Sequence, residues 1–265
     1  MSAGNTDALT TIAGIAAERD VDAMASAFLA AVTQLIPCEH ASYNEADPFL
    51  GATRTIWSDP SLNQGLETDD SWLALLAQHP LINHYIARPQ DRPLRLSDVT
   101  DITAFHQGAL YSEVMRPTAT DHQLILYLGN LPGVDPANGG KPLAVGVALN
   151  RQSRNFSAQE KALAGLFVDL ARPLFRLRRA EQLGRALDGS APSTEIRRLF
   201  RSLGVTERQA EVALWVARGK SNSEIAEIMG VAPQTVRQHT IRLFEQMGVE
   251  GRQGVLRAFY RSILS

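Results

Sequence analysis

The sequence predicts two domains: an α+β domain, with a central, mainly antiparallel sheet flanked by helices, and then an all-α domain of four helices. Residues 1–184 alternate helical patterns with short runs of β-forming residues. Residues 196–265 carry helical patterns only, and residues 185–195 gather Gly, Ser and Pro. We therefore expect a first domain at 1–184, a linker at 185–195 and a second domain at 196–265.

The first domain is predicted to begin with two helices and to end with a long one. The opening helical patterns lie at Ala8–Ala17 and Asp22–Ile36. Strand patterns lie at 40–45, 53–58, 122–128 and 143–150, and shorter helical patterns at 71–78, 80–87 and 101–115. Ser157 and Glu160 form a capping box for the closing helix, from about 158 to 183, which Pro173 is expected to kink or divide.

The charge of the chain is unevenly distributed. The whole sequence has a net charge of −2, from 26 Lys and Arg against 28 Asp and Glu. Residues 1–170 hold 10 basic and 19 acidic residues, residues 171–190 hold five and two, and residues 191–265 hold 11 and seven. An acidic first domain joined to a basic end is typical of a protein whose basic end binds a polyanion.

Composition excludes several classes of protein. No apolar run approaches the roughly 20 residues of a membrane span, and residues 1–7 lack the features of a secretory signal, so we expect a cytoplasmic protein without a membrane. The single cysteine, Cys38, excludes an intramolecular disulfide, and its place after an apolar helix favours a buried, inert thiol over a redox sensor. His79, His84 and His106 have no carboxylate at a matching spacing, so we expect no metal and no cofactor.

The four helices of the second domain are predicted from their capping residues. They lie at about 207–218, 222–229, 233–247 and 252–264. Thr206 and Ser221 each begin a capping box, and Pro233 occupies the first position of the third helix. Gly-Val-Ala separates the second helix from the third, which is the spacing of a helix-turn-helix.

Three segments of the second domain resemble the LuxR/GerE-type DNA-binding domain. They are Val-Thr-Glu-Arg-Gln-Ala-Glu-Val at 205–212, Gly-Lys-Ser-Asn-Ser-Glu-Ile-Ala at 219–226 and Pro-Gln-Thr-Val-Arg-Gln-His at 233–239, followed by Met-Gly-Val at 247–249 and Arg252. The resemblance implies a transcriptional regulator in which the helix from Pro233 is the recognition helix, lying in the major groove of DNA.

The recognition helix has a predicted core side and a predicted DNA side. The expected core residues recur at three and four positions and are Val236, Thr240, Leu243 and Met247. The opposite side carries Gln234, Arg237, Gln238, Ile241 and Arg242. The resemblance implies that Arg237, Gln238 and Ile241 read bases, and bidentate hydrogen bonds suit Arg to guanine and Gln to adenine.

Residues at the starts of the second and third helices are predicted to contact phosphates. They are Lys220, Ser221, Asn222 and Thr235, assisted by backbone N–H groups. Ser221 and Thr235 also fit a simple role as helix caps, and the sequence leaves both roles open.

Four positions depart from the pattern of the family. Gln209 replaces the usual acid of the first helix, and Ala232 replaces the usual N-cap serine before the recognition helix, a loss of about 1 kcal/mol. Arg242 and Gln246 stand where the family commonly has Asn and Lys, which puts one phosphate contact in doubt. The target sequence of the family therefore cannot be transferred to this chain.

A homodimer on two half-sites of double-stranded DNA is expected, because one recognition helix offers few base contacts. The apolar side of the last helix, formed by Val255, Phe259 and Ile263, resembles the dimerisation surface of the family. The alternative for these three residues is burial within the monomer.

The first domain resembles GAF-like sensor domains in the order of its elements and in Phe-Ser-Ala-Gln-Glu-Lys at 156–161. Asp69 and Asp70 lie at a predicted helix start and not at strand ends, as a phosphorylated receiver would need. Trp57 followed by Asp59-Pro60 does not reproduce the constellation of acyl-homoserine-lactone domains. Gly139-Gly-Lys-Pro142 has Pro where a phosphate-binding loop needs Ser or Thr.

Two interpretations of the first domain therefore remain: a sensor of a small molecule and a domain that serves only for dimerisation. The aromatic and histidine residues predicted to line a ligand site, each with core packing as its alternative, are Tyr43, Trp57, Trp72, His79, Tyr85, Phe105, Tyr111 and Tyr127. We therefore expect a one-component transcriptional regulator that senses a small molecule and is not an enzyme. The alternatives are a constitutive dimeric regulator without a ligand and an enzyme with a regulatory tail.

Overall fold

The computed structural model describes residues 13–46, 53–63, 75, 78–88, 92–130, 144–189 and 193–264. Contacts divide them into two compact units, the first ending at Phe175 and the second beginning at Arg176. The described residues of the first unit are α+β and those of the second unit form helices and turns, which confirms the predicted fold class. No helix within these ranges is both long enough and apolar enough to cross a membrane.

A five-stranded antiparallel sheet forms the centre of the first unit. Its strands are β1 (His40–Ala46), β2 (Thr53–Trp57), β3 (Leu94–Arg95), β4 (His122–Asn130) and β5 (Ala144–Arg151). They lie side by side in the order β2-β1-β5-β4-β3. The four long strands were predicted from their β-forming residues, whereas β3 contains only two residues and gives no sequence signal of its own.

One face of the sheet packs against helix α1 (Val21–Leu35) and the first turns of helix α4 (Ala158–Asp188). Phe28 of α1 contacts Phe167 and Phe175 of α4, with ring centroids 5.8 Å apart in each pair. Tyr43 of β1 stacks on Phe175 at 5.5 Å. Asp20 caps the start of α1 through its carboxylate, which accepts hydrogen bonds from the backbone N–H groups of residues 22 and 23.

Short helices and turns cover the other face. They are α2 (Pro80–Ala87), α3 (Ile102–Phe105), a 3-10 turn at Leu96–Asp98 and a π-helical turn at Tyr111–Met115. Another 3-10 turn, Pro60–Asn63, follows β2. The pattern at 80–87 predicted α2, but the single helix predicted over 101–115 is wrong. The chain turns at residues 106–108, where Gly108 weakens a helix, and so two short pieces form in its place.

Two other predicted helices lie partly outside the described residues. Residues 13–17 of the first pattern are described and are helical. Of the pattern at 71–78, only Leu75 and Gln78 are described.

The closing helix is longer than predicted, since α4 runs without a break to Asp188, beyond the predicted end at about 183. Of the two alternatives at Pro173, division of the helix is wrong, and a kink stays a prediction. Residues 185–188, predicted as linker, are therefore helical. Leu187 is buried in the core of the second unit, and the guanidinium of Arg218 donates to the carbonyls of Ala186 and Leu187 at 2.8 Å. These interactions satisfy the last turn of the helix.

The second unit contains five helices after α4, one more than predicted. They are α5 (Thr194–Ser202), α6 (Glu207–Ala217), α7 (Asn222–Met229), α8 (Pro233–Met247) and α9 (Gly251–Leu264). The unpredicted helix is α5, although Ser193 caps it and Ile196, Leu199 and Phe200 repeat at helical spacing. Those three side chains are buried in the core of the unit.

The proposed dimerisation residues of the last helix are core residues. Val255 and Phe259 are 0% exposed and Ile263 is 4% exposed, all within the hydrophobic core of their own unit. Phe259 contacts Phe200 of α5, with ring centroids 5.9 Å apart. The assignment of these residues to a dimer surface is therefore wrong, because their apolar surface is already buried by the monomer.

We predict that Phe259→Ala lowers the free energy of unfolding of the second unit by about 4 kcal/mol, since it leaves a cavity in a packed core. Its neighbour Tyr260 is 41% exposed, and Tyr260→Ala should lower that free energy by less than about 1 kcal/mol. Urea unfolding followed by circular dichroism measures both variants. Equal destabilisation by the two substitutions would contradict the burial of Phe259.

Candidate nucleic-acid interface and sensor site

The turn between α7 and α8 is built for a sharp change of direction. Gly230 ends α7 in the left-handed conformation, with φ 64° and ψ 37°, which glycine adopts without steric cost. Ala232 occupies the N-cap of α8 and makes no side-chain hydrogen bond, as its residue type requires, and Pro233 follows at the first helical position. Thr235 is half-buried, and its backbone N–H donates to the carbonyl of Ala232 at 2.9 Å.

Helix α8 has one buried side and one exposed side. Val236 and Leu243 are 0% exposed and Thr240 is 6% exposed, on the side that packs against α6 and α7. All five residues predicted for the outer side are exposed: Gln234, Arg237, Gln238, Ile241 and Arg242. Ile241 is 48% exposed, so a large apolar side chain stands among polar and cationic ones. The structure thus places these five side chains together on one surface.

The start of α7 is fixed by reciprocal hydrogen bonds. The hydroxyl of Ser221 accepts from the backbone N–H of Glu224 at 3.3 Å, and the Glu224 carboxylate accepts from the N–H of Ser221 at 2.7 Å. Lys220 Nζ lies 3.1 Å from the same carboxylate. Hydrogen bonds from Ser221, with a smaller effect of Lys220, lower the pKa of Glu224 to about 2. Ser221 is therefore the N-cap of α7 in this structure.

Arg252 connects the start of α9 to the start of α7. Its guanidinium donates to the backbone carbonyl of Lys220 and, at 2.5 Å, to Oδ1 of Asn222. This hydrogen bond occupies Oδ1 of Asn222 and fixes the orientation of the amide group. The amide nitrogen is the donor of that side chain. Arg252 belongs to the motif of the family, but the sequence indicates no role for it, since nothing local relates it to a residue 30 positions away.

Gln209 and Gln246, which depart from the family pattern, each form a hydrogen bond with the backbone. The hydroxyl of Thr206 accepts from the N–H of Gln209 at 3.3 Å, and the Gln209 side chain accepts from the N–H of Thr206 at 2.7 Å. Glutamine therefore keeps the capping geometry of the usual acid. Gln246, which replaces the usual lysine, donates to the carbonyl of Gly204 at 2.6 Å. That side chain connects α8 to the segment before α6.

The residues predicted for the ligand site do not all lie close together. Tyr43 lies on the face of the sheet that packs against α1 and α4, and its hydroxyl donates to Glu45 at 2.9 Å. Trp57 lies on the opposite face, beside His40 with ring centroids 5.4 Å apart. Trp72 lies outside the described residues.

The other predicted residues lie together on that opposite face. Tyr85 and Tyr127 stack at 5.0 Å within a cluster of buried side chains that also contains Leu81, Leu96, Leu110 and Met115. Phe105 and Tyr111 pack against this cluster from its edge. Tyr111 also stacks on His106 at 4.0 Å and donates its hydroxyl proton to Asp121 at 2.7 Å. Core packing thus accounts for most of these aromatic rings.

A buried polar network, which sequence reasoning missed, crosses the sheet beside the cluster. Gln123 of β4 donates to Oδ1 of Asn150 at 2.8 Å, and Asn150 lies 3.2 Å from Nδ1 of His40. Nε2 of His40 lies 2.6 Å from the carbonyl oxygen of Thr118. Gln123 shares the face of Ile125 and Tyr127, because alternate residues of a strand point to the same side.

Several buried polar atoms have no hydrogen-bond partner in the part of the chain that the structure describes, and Oε1 of Gln123 and Nδ1 of His79 are among them. Their residues are 8% and 6% exposed. Burial lowers the pKa of His79 to about 4, against a smaller opposing effect of the neighbouring Gln123 side chain. The imidazole is therefore neutral at pH 7. Unpaired buried polar atoms are destabilising unless a ligand or water pairs with them.

Cys38 is half-buried, whereas the sequence predicted a buried thiol. Desolvation raises its pKa to about 11. Because the thiolate is the reactive form, this cysteine is poorly suited to redox sensing. Across the described residues, no group of three or more His, Cys, Asp and Glu side chains is arranged to hold a metal ion.

Residues 204–259 match the family described as bacterial regulatory proteins, luxR family. This segment is therefore a LuxR-type helix-turn-helix domain, as its motifs predicted. The transcriptional activator protein PhzR of Pseudomonas fluorescens is 35% identical over 63 residues, which are 24% of this chain and 26% of PhzR. The chain thus spans about a quarter of the length of this curated relative. The GAF-like resemblance of the first unit stays a prediction.

Two solved structures are similar to larger parts of the chain. Escherichia coli SdiA is 16% identical, with 96% of each chain covered and a TM-score of 0.42. The LBD domain of VqsR from Pseudomonas aeruginosa is 13% identical, with 68% of this chain and 98% of that chain covered and a TM-score of 0.48. Both TM-scores are below 0.5, so the fold rests on the strand order and helix bounds given above.

The burial of His79 predicts a pH-dependent stability. Since its pKa is lowered from 6.5 to about 4, the unfolded chain binds a proton more readily than the folded one. The stabilisation is complete above pH 6.5 and is lost as the pH falls towards 4, by on the order of 3 kcal/mol. Urea unfolding of the first unit between pH 4.5 and 7.5 should show a smaller decrease for His79→Gln than for the wild type. An unchanged pH dependence in the variant would disprove the assignment.

Proposed function

We propose that this protein is a transcriptional regulator that binds double-stranded DNA through α8 and responds to a small molecule bound by its first unit. The observation that carries the DNA-binding part is the single exposed side of α8, on which Gln234, Arg237, Gln238, Ile241 and Arg242 lie together. A cytoplasmic location follows from the proposal, because a bacterial regulator must reach the chromosome. No catalytic role is assigned to any residue.

The exposed side of α8 carries the chemical groups that distinguish base pairs in the major groove. A guanidinium at Arg237 matches the O6 and N7 acceptors of guanine, and the amide of Gln238 matches N6 and N7 of adenine. The half-exposed Ile241 would contact a thymine methyl group, which explains an apolar side chain at a solvent-facing position. We assign sequence recognition to these three residues.

Groups near the start of α7 would bind phosphate and so position α8. Lys220 pairs with Glu224 at the surface, and such a pair is weak enough to exchange for a phosphate. The amide nitrogen of Asn222 is held in place by Arg252 and can donate to a phosphate oxygen. Ser221, Thr235 and Arg242 complete the proposed set, with Ser221 also keeping its role as a cap.

The two kinds of contact predict different effects on binding. Arg237→Ala should remove about 1 to 3 kcal/mol of discrimination at one base pair, and Lys220→Ala should weaken binding to all sequences and reduce the salt dependence by about one phosphate. Selection from random duplexes followed by fluorescence anisotropy at several salt concentrations measures both. Arg198→Ala is the control, since Arg198 is exposed on α5 and should leave affinity and specificity unchanged. Wild-type behaviour of both test variants would disprove the assigned interface.

The effector site is proposed at the unpaired atoms of Gln123 and His79. The Gln123 oxygen accepts a hydrogen bond, and the neutral His79 nitrogen either donates or accepts one, according to its tautomer. The neighbouring side chains are mainly apolar and include Tyr85, Leu96 and Tyr127. These features support a small, uncharged, largely apolar molecule that carries a hydroxyl or amide group.

An effector of this kind should act through Gln123. In a thermal-shift screen of uncharged metabolites, we expect compounds that raise the melting temperature of the wild type and change its affinity for DNA. Gln123→Leu should abolish the shift because it removes the unpaired acceptor. Tyr43→Phe, which removes a hydroxyl group on the opposite face of the sheet, should retain the shift. A silent screen, or an effector that stabilises Gln123→Leu equally, would favour a regulator without a ligand at this site.

A further inference from the structure

Three buried polar side chains form a row across the face of the sheet opposite α1 and α4. Gln123, Asn150 and His40 are 8%, 3% and 5% exposed. In the register of the sheet, Gln123 of β4 lies opposite Asn150 of β5, and Asn150 lies opposite His40 of β1. Directly opposite residues on neighbouring strands point to the same side and are close enough for their side chains to interact.

The far end of the row determines which nitrogen of His40 carries a proton. Nε2 of His40 lies 2.6 Å from the backbone carbonyl oxygen of Thr118. A carbonyl oxygen only accepts hydrogen bonds, so Nε2 is the nitrogen that donates. Burial lowers the pKa of His40, and its imidazole is therefore neutral at pH 7. In the neutral ring, Nδ1 is then an acceptor.

This tautomer of His40 fixes the orientation of the two amides in the row. Nδ1 of His40 accepts a hydrogen bond from Nδ2 of Asn150, at 3.2 Å. Oδ1 of Asn150 therefore faces β4, where it accepts from Nε2 of Gln123 at 2.8 Å. The last polar atom of the row is Oε1 of Gln123, which is buried and has no partner among the described residues. The row thus ends in a hydrogen-bond acceptor.

The opposite orientation of Gln123 is unfavourable as long as His40 is in place. Rotating the Gln123 amide by half a turn brings its oxygen against Oδ1 of Asn150. Rotating Asn150 as well brings Oδ1 against Nδ1 of His40. Each reversed arrangement leaves two buried acceptors facing each other without a proton between them, and unmade buried hydrogen bonds are costly. His40 therefore controls Gln123 through Asn150.

We infer that His40 sets the specificity of the effector site, because it holds Oε1 of Gln123 as an acceptor and so requires an effector that donates a hydrogen bond. The site favours an uncharged molecule with a hydroxyl or N–H group and discriminates against ketones, esters and ethers, which only accept. His40 and Asn150 are positioning residues, since Gln123 is the residue that would touch the effector. Their role rests on the proposed effector site at Gln123.

The tautomer of His40 is tested without a ligand, by heteronuclear NMR of the full-length chain. Long-range proton-nitrogen correlations should place the proton of His40 on Nε2, with His40→Phe identifying the signals of this ring. The side-chain amide signal of Gln123, identified with Gln123→Leu, should shift in Asn150→Leu because its hydrogen bond to Oδ1 is lost. A proton on Nδ1 of His40 would overturn the assigned direction of the row.

Alcohols and ketones with the same carbon skeleton test the specificity: cyclohexanol and cyclohexanone, indanol and indanone, menthol and menthone. An alcohol that binds the wild type should do so at least about tenfold more tightly than its ketone, which leaves Oε1 of Gln123 unpaired. Asn150→Leu should bring this ratio to within about threefold of unity, because Gln123 can then rotate. Asn150→Asp should keep the ratio near tenfold, since a carboxyl oxygen still accepts from Gln123. NMR titration measures the dissociation constants.

The possible results distinguish the role of His40 from the effector site itself. If no alcohol binds the wild type, or if alcohols bind Gln123→Leu equally well, the proposed effector site is overturned. If alcohols bind through Gln123 but Asn150→Leu keeps the wild-type ratio, the positioning role of His40 and Asn150 is overturned. Tyr43→Phe, on the opposite face of the sheet, should leave the ratio unchanged. Circular dichroism confirms that each variant is folded, and the tautomer of the wild type decides the matter if a variant is not.

Discussion

Burial of Val236, Thr240 and Leu243 fixes the rotation of α8 about its own axis. These side chains pack against α6 and α7, and turning the helix would expose two fully buried apolar residues, at about 1.5 to 3 kcal/mol each. The outer side of α8 is therefore held outward at all times. The composition of that side, with two arginines, two glutamines and one isoleucine, can then act as a preformed reading surface. Every proposed base contact depends on this one packing constraint.

Two kinds of hydrogen bond, one local and one long-range in the sequence, position the rest of the proposed interface. Capping boxes at Thr206 and Ser221 are local, because donor and acceptor are three residues apart. The bonds from Arg252 to Asn222 and from Gln246 to Gly204 span 30 and 42 residues. The local bonds decide where helices begin, and the long-range bonds decide how the helix starts are held relative to one another. Only the second kind can align a phosphate-binding group with α8.

The first unit separates two roles between the faces of one sheet. Alternate residues of β1, β4 and β5 point to opposite sides, so one face packs its apolar side chains against α1 and α4. The other face carries the network of Gln123, Asn150 and His40 beside the cluster around Tyr85 and Tyr127. The buried amide of Gln123 and the neutral imidazole of His79 belong to this second face. The ligand site is therefore proposed on the second face and not on the first.

The sequence by itself determined the starts of α6, α7, α8 and α9, the four long strands and the inner and outer sides of α8. Caps, β-forming runs and apolar periodicity act over a few residues, and a linear pattern records them. It did not determine the break at Gly108, the extension of α4 to Asp188 or the fate of Val255, Phe259 and Ile263. An apolar stripe signals that a surface is covered, and it does not say by what. For α9 the answer was its own core, because the tertiary packing decides which apolar surfaces the chain itself buries.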